Sequence, residues 1–203
     1  MTKRIIIGGF LAGLAMFTWG AVSHMALGLQ ESGIKQFAND APVVAVLKSE
    51  IKEPGFYFFP GMDTSPNMTK DQKAAAQQKW VEKYQAGPRG ILVYHPDGQQ
   101  AMSPKQLGLQ LLATIAASLV AAFVLAQATG LRTFGCRLGA VTLMGLLPFF
   151  MVNFPYWNWY GFPTRFTLME LLDKLLELFV AGLVLAAIVK PPASGPAPAA
   201  AGS

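Results

Sequence analysis

The sequence predicts an all-α membrane protein: a four-transmembrane-helix bundle with a small α+β extracytoplasmic insert between helices 1 and 2. Three observations predict it. Four apolar segments, at about residues 5–29, 107–128, 138–154 and 168–189, punctuate the chain. A helix crossing a hydrocarbon core roughly 30 Å thick needs about 20 largely apolar residues, so three segments fit and the third is short. Hydrophobic residues make up 53% of the chain and charged residues only 13%, against roughly 25% charged in soluble domains. Basic residues also gather at one set of segment ends.

That gathering orients the chain. Lys3 and Arg4 precede the first segment, Arg132 and Arg137 lie between the second and third, and Lys190 closes the fourth. Basic residues beside spans stay cytoplasmic. Both termini are therefore expected inside, with residues 31–105 and 153–167 outside. These five positive charges equal the formal net charge of +5, so the remaining charges cancel. The basic pI is a topology signal. It does not point to nucleic acid, because no basic patch with interleaved aromatics is present. The single cysteine, Cys136, excludes an internal disulfide and two-cysteine redox chemistry.

The expected organisation is a first span over residues 1–30, the insert over 31–104, three further spans over 105–190, and a Pro/Ala-rich cytoplasmic tail over 191–203 that is expected to be disordered. The first segment has the basic start and small residues (Ala21-Val22-Ser23) of a signal peptide, but its apolar run is longer than a signal core of about 7–15 residues. An uncleaved span is expected. Gly9-x-x-x-Gly13 predicts a close helix neighbour. Cleavage after Ser23 would leave His24 as a copper-chelating amino terminus, with His95 as the only other histidine.

The insert reads as helix–strand–helix–strand. Asp40 is expected to cap a helix over 43–51 with Val43, Val46 and Leu47 as its apolar face. Gly55-Phe56-Tyr57-Phe58-Phe59-Pro60 reads as a strand between breakers. Thr69 and Gln72 have capping-box spacing for a helix that stops at Gly87-Pro88. Gly90 to His95 reads as a second strand, and Ser103-Pro104 opens the second span. Two strands are marginal alone, so the insert is expected to lean on the membrane helices. Its nine basic and eight acidic residues over 31–105 nearly cancel, so it will not steer strongly charged partners.

In the third segment Pro148 is expected to bend the helix. The fourth segment is the unusual one. Glu170, Asp173, Lys174 and Glu177 fall on one face at about 100° per residue, and Glu177 lies about 20 Å from Lys190 along a helix. Charged residues at membrane depth suggest a functional site, although an amphipathic extension above the membrane has the same pattern. His24, about 30 Å along the first helix from Arg4, is the expected partner of this cluster, with Trp19, Gly20 and Ser23 at helical spacing. Such a set would resemble a mixed nitrogen–oxygen metal site, but no metal motif supports it. The outer connection carries Asn153, Tyr156, Trp157, Asn158, Trp159 and Tyr160 between Pro155 and Pro163. It is expected to be an aromatic belt or a shaped loop that could line a quinone, lipid or pigment contact. The methionines are scattered and are expected to pack rather than carry copper.

Phe17-Thr18-Trp19 with Ser23-His24, Gly55-x-Tyr57-x-Phe59-Pro60, and Tyr156-Trp157-Asn158-Trp159-Tyr160-Gly161-Phe162-Pro163 resemble recurring strings of a bacterial four-span inner-membrane family to which no activity is assigned. The resemblance covers most of the chain outside the tail. It implies a bacterial inner membrane and carries over no site residue, cofactor or activity.

Two functions remain. One is a non-catalytic structural or accessory component supporting a membrane complex, with the lipid bilayer and other membrane subunits as partners. The other is a ligand-handling protein or enzyme (proton, metal, lipid or quinone) using the polar cluster beneath the aromatic connection. No catalytic or cofactor motif is present.

Overall fold

In a computed structural model the chain is mostly helical, with one two-stranded sheet. Residues 1–29 and 31–190 are described; the tail expected to be disordered lies outside the described residues. The first elements are α1 (Thr2–Ala21), α2 (Ala41–Glu50), β1 (Gly55–Phe59), α3 (Lys70–Ala86) and β2 (Gly90–Tyr94). There follow α4 (Pro104–Gln127), α5 (Phe134–Leu143), α6 (Leu146–Pro148), α7 (Phe154–Tyr160) and α8 (Thr164–Ile188). The chain divides into two compact units: Met1–Ile34 with the residues from Ala101 onward, and Lys35–Gln100.

In the first unit, three helical stretches are long and apolar enough to cross a membrane: Thr2–Ala26, Pro104–Gln127 and Phe134–Tyr160. α8, with 25 residues, has the length. It falls outside this set because Asp173, Lys174 and Glu177 interrupt its apolar run. α1 packs along both α4 and α8, and α8 also packs along α5. Alanine dominates the shared core, with Ala12, Ala122, Ala181 and Ala186 fully buried beside Leu125 and Leu185. Small side chains let helix axes approach closely where burial of apolar surface gives little driving force.

The Gly9-x-x-x-Gly13 expectation is met in this packing. A Cβ on Gly13 would lie 2.5 Å from Ile115 Cα, and one on Gly9 would lie 2.9 Å from Leu119 Cα. The approach allows the Ser118 hydroxyl to donate to the Gly9 carbonyl at 2.5 Å. Near the C-terminal end of α8, buried Arg137 donates through Nε and Nη2 to the Ala186 carbonyl at 3.0 and 2.8 Å. Its Nη1 donates to the Leu131 and Arg132 carbonyls. The last carbonyls of a helix lack partners within it, and a cation there meets the negative end of the helix dipole.

The third apolar stretch is a broken helix. α5 ends at Leu143, a turn follows at Met144-Gly145, and α6 leads through Pro148 into a π-helical turn, Phe149–Asn153, and then α7. Pro148 has no N–H to donate, so an interruption was expected here. Gly145 supplies a second reason. A Cβ on it would lie 2.8 Å from the Lys174 carbonyl oxygen of α8.

The loop expected over the aromatic string is instead largely helical. α7 carries the string through Tyr160, and only Gly161, Phe162 and Pro163 connect it to α8. Pro155 sits in the first turn of α7, where a missing N–H costs nothing. Gly161, at φ 73°, ends the helix in the left-handed region, and the Phe162 N–H closes back on the Tyr156 carbonyl at 3.4 Å.

In the second unit, β1 and β2 pair antiparallel with Phe56 opposite Val93 and Phe58 opposite Ile91. Both capping boxes follow the sequence. The Gln72 N–H donates to Thr69 Oγ1 at 3.3 Å while the Thr69 N–H donates to Gln72 Oε1 at 2.8 Å. Ser103 and Gln106 do the same at the start of α4 in the first unit. α3 meets the sheet through Tyr84, stacked on Phe58, and through the Trp80 indole, which donates to the Pro60 carbonyl at 2.9 Å. Asp40 precedes α2 but its side chain caps nothing; its backbone is already helical, and Asn39 Oδ1 accepts from the Ala41 N–H instead. On the expected apolar face of α2, Val43 and Leu47 are half-buried and Val46 is exposed.

Candidate functional site

The polar face of α8 is buried. Glu170, Asp173 and Glu177 lie at spacings of three and four residues, which stack on one side of a helix. All three are buried, and Lys174 is half-buried among them. The polar side of α8 therefore faces protein rather than solvent. Asp173, 2% exposed, is the centre of the arrangement. Its Oδ1 accepts from the Trp19 indole at 3.0 Å and from the Ser23 hydroxyl at 2.5 Å. Its Oδ2 lies 3.7 Å from Lys174 Nζ. Lys174 also donates to Glu177 Oε2 at 2.7 Å. Glu170 accepts from Asn153 Nδ2 at 3.4 Å.

Each partner is positioned by a local feature. Trp19 on α1 and Ser23 in the π-helical turn Val22–Ala26 are four residues apart, and both reach Asp173 on α8. His24 is one residue further round, in the π-helical turn Val22–Ala26, and is exposed. Trp19 and Ser23, which the sequence places at helical spacing with His24, bond Asp173. Asn153 reaches Glu170 from the last residue of the second π-helical turn. Single π-helical turns within longer helices occur frequently at functional sites. Here they set where Ser23 and Asn153 point.

The aromatic residues are arranged differently. Tyr156, Trp157, Asn158, Trp159 and Tyr160 are all exposed on α7. Tyr156 packs on Tyr160 and Phe162, and the Trp157 indole donates to Thr164 Oγ1 at 3.0 Å. Of the string, Asn153 bonds the polar cluster, through Glu170.

With every group ionised, three carboxylates face one ammonium. Each buried side-chain nitrogen or oxygen among the described residues nevertheless has a hydrogen-bond partner. No three His, Cys, Asp or Glu side chains among the described residues are grouped to hold a metal ion. Concave surfaces are also present in the insert. Two adjoining grooves of about 660 and 720 Å³ lie between residues 61–68 and α3, and Met62, Asp63, Ser65, Met68 and Trp80 line both. They share no residue with the polar cluster. The Ser65 hydroxyl and N–H donate to Asp63 and hold its carboxyl below the usual carboxylate range.

No family model, curated protein or solved structure matches the chain.

Proposed function

We propose that this chain is a bacterial inner-membrane protein that crosses the bilayer four times, with both termini cytoplasmic and residues 31–104 outside. We further propose that it acts as a structural or accessory component of a membrane complex. The observation that carries this reading is the engagement of Asp173 by Trp19, Ser23 and Lys174. Charges are tolerated within a membrane where they face other helices and pair. The pairing supports α8 as a fourth span despite its charges. It also supports a structural role, because the polar groups that could have served a ligand are used to join helices. Interhelical hydrogen bonds in membranes contribute about 0.6–2 kcal/mol each, enough to fix one arrangement of α1 on α8.

Two further observations agree. The basic residues flanking the proposed inner ends are Lys3, Arg4, Arg132, Arg137 and Lys190. The exposed Trp and Tyr side chains of α7 suit the outer membrane–water boundary, where a ring meets lipid and its N–H or O–H meets water. For partner binding the insert offers the cross-strand pair Phe56 and Val93, whose side chains are exposed on the two-stranded sheet.

A second reading keeps the cluster as a ligand site for a proton, cation or polar molecule. One feature favours it, the excess of carboxylates over ammonium. Purification in mild detergent, followed by mass spectrometry of protein and small-molecule content, separates the two. The accessory reading expects a co-purifying membrane protein in constant ratio. A stoichiometric small molecule or metal, with no protein partner, replaces it by the second.

A further inference from the structure

The chain leaving α1 carries exposed apolar side chains for longer than a departure into water needs. Met25 and Leu27 are exposed beyond the end of α1, and Ile34, the last residue of the N-terminal stretch of the first unit, is 61% exposed. This stretch is held close to α8. The short 3-10 turn Glu31–Gly33 packs on it, and a Cβ on Gly33 would lie 2.5 Å from Phe166 Cα. Gly33 thus fixes Ile34 beside the first turn of α8. Leu168, half a turn beyond Phe166, is exposed as well.

The level of this contact along the bundle is marked by a second element. α7 is tied to the first residue of α8 by the Trp157–Thr164 hydrogen bond and presents Trp157, Trp159 and Tyr160 outward. Such side chains mark the head-group boundary of a bilayer. Ile34, next to Gly33 on Phe166, lies within one helical turn of that mark.

We propose that Met25, Leu27 and Ile34 form an interfacial foot that inserts into the head-group and upper acyl region of the outer leaflet, with lipid as its partner. The chain then runs along the membrane surface before the insert begins. Apolar side chains held at this depth gain by leaving water, in proportion to the area they bury. The inference rests on the four-span reading, and the test keeps the two apart.

The full chain is reconstituted in nanodiscs with Cys136→Ser as background, because Cys136 is the one cysteine and is exposed. An environment-sensitive fluorophore is attached to Leu27→Cys, Ile34→Cys or, as the lipid reference, Leu112→Cys, an exposed site on α4. Quenching is measured with aqueous iodide and with a nitroxide carried high on the acyl chain. The expected result is blue-shifted emission, loss of iodide quenching and strong nitroxide quenching at positions 27 and 34. Iodide quenching at 27 and 34 with a lipid-embedded 112 overturns the foot and leaves the spans standing. Protection at 27 and 34 from both quenchers means that protein covers them, which also overturns it. A water-exposed 112 overturns the membrane reading itself.

Discussion

The indole N–H of Trp19 and the carboxylate of Asp173 are joined at 3.0 Å across 154 residues of sequence. This bond and the shorter one from Ser23 Oγ to the same oxygen tie the first helix of the chain to the last. Both are made to one carboxyl oxygen in a buried place, where a lost partner is costly.

Removal of Asp173 should therefore matter more than neutralising it. Asp173→Ala leaves the Trp19 N–H, the Ser23 O–H and Lys174 short of a partner, and is expected to destabilise the fold by about 3–5 kcal/mol. Asp173→Asn keeps an acceptor oxygen, and its cost should be about half of that or less. Thermal unfolding in detergent or nanodiscs orders the two. Equal, small effects would show that the carboxylate is not structural.

Close packing at Gly13 gives an independent prediction. Gly13→Val must push against the Ile115 backbone and Ser118 Oγ, which is 2.8 Å from the added Cβ. Overpacking of this kind costs about 1–3 kcal/mol. Gly20→Ala on the same helix meets no atom within 4 Å and should be neutral or slightly stabilising. The contrast in unfolding temperature is the readout.

Arg137 should resist conservative exchange. Its guanidinium spans the Ala186, Leu131 and Arg132 carbonyls. Lysine offers a point charge in place of a planar fork and cannot bridge all three. Arg137→Lys is expected to cost about 1–2 kcal/mol and Arg137→Leu about 3 kcal/mol, since hydrogen bonds to charged groups contribute roughly 1.5–3 kcal/mol each. Similar stability for all three chains would remove Arg137 from the account of how α8 ends.

Orientation is checked by reporter fusions. A fusion at Gln85 should report outside and one after Lys190 inside. The opposite result at either position contradicts the reading of the basic flanks.

Local chemistry made much of this fold legible. The Thr69–Gln72 and Ser103–Gln106 boxes, both strands and the small-residue face at Gly9 and Gly13 depend on residues close in sequence, or on a side chain being absent. The polar face of α8 was also visible, because spacings of three and four determine a helix side. Its partners were not. Trp19, Ser23 and His24 lie within six consecutive positions, and a shift of one residue decides which of them meets α8. The aromatic string misled because Pro155 reads as a breaker, yet it is harmless in a first turn. Asp40 misled because capping needs a non-helical backbone, and Asn39 rather than Asp40 is placed to accept.

The central claim is that the buried charges of α8 hold helices together and do not serve a ligand. The most direct measurement compares the purified wild-type chain with Glu170→Gln/Asp173→Asn/Glu177→Gln, recording bound metal, lipid and small molecules by mass spectrometry alongside the unfolding temperature. The account predicts unchanged bound content, unchanged protein partners and a shifted unfolding temperature. A metal or small molecule present near one per chain in the wild type, absent from the variant and lost without a change in unfolding temperature, would contradict it.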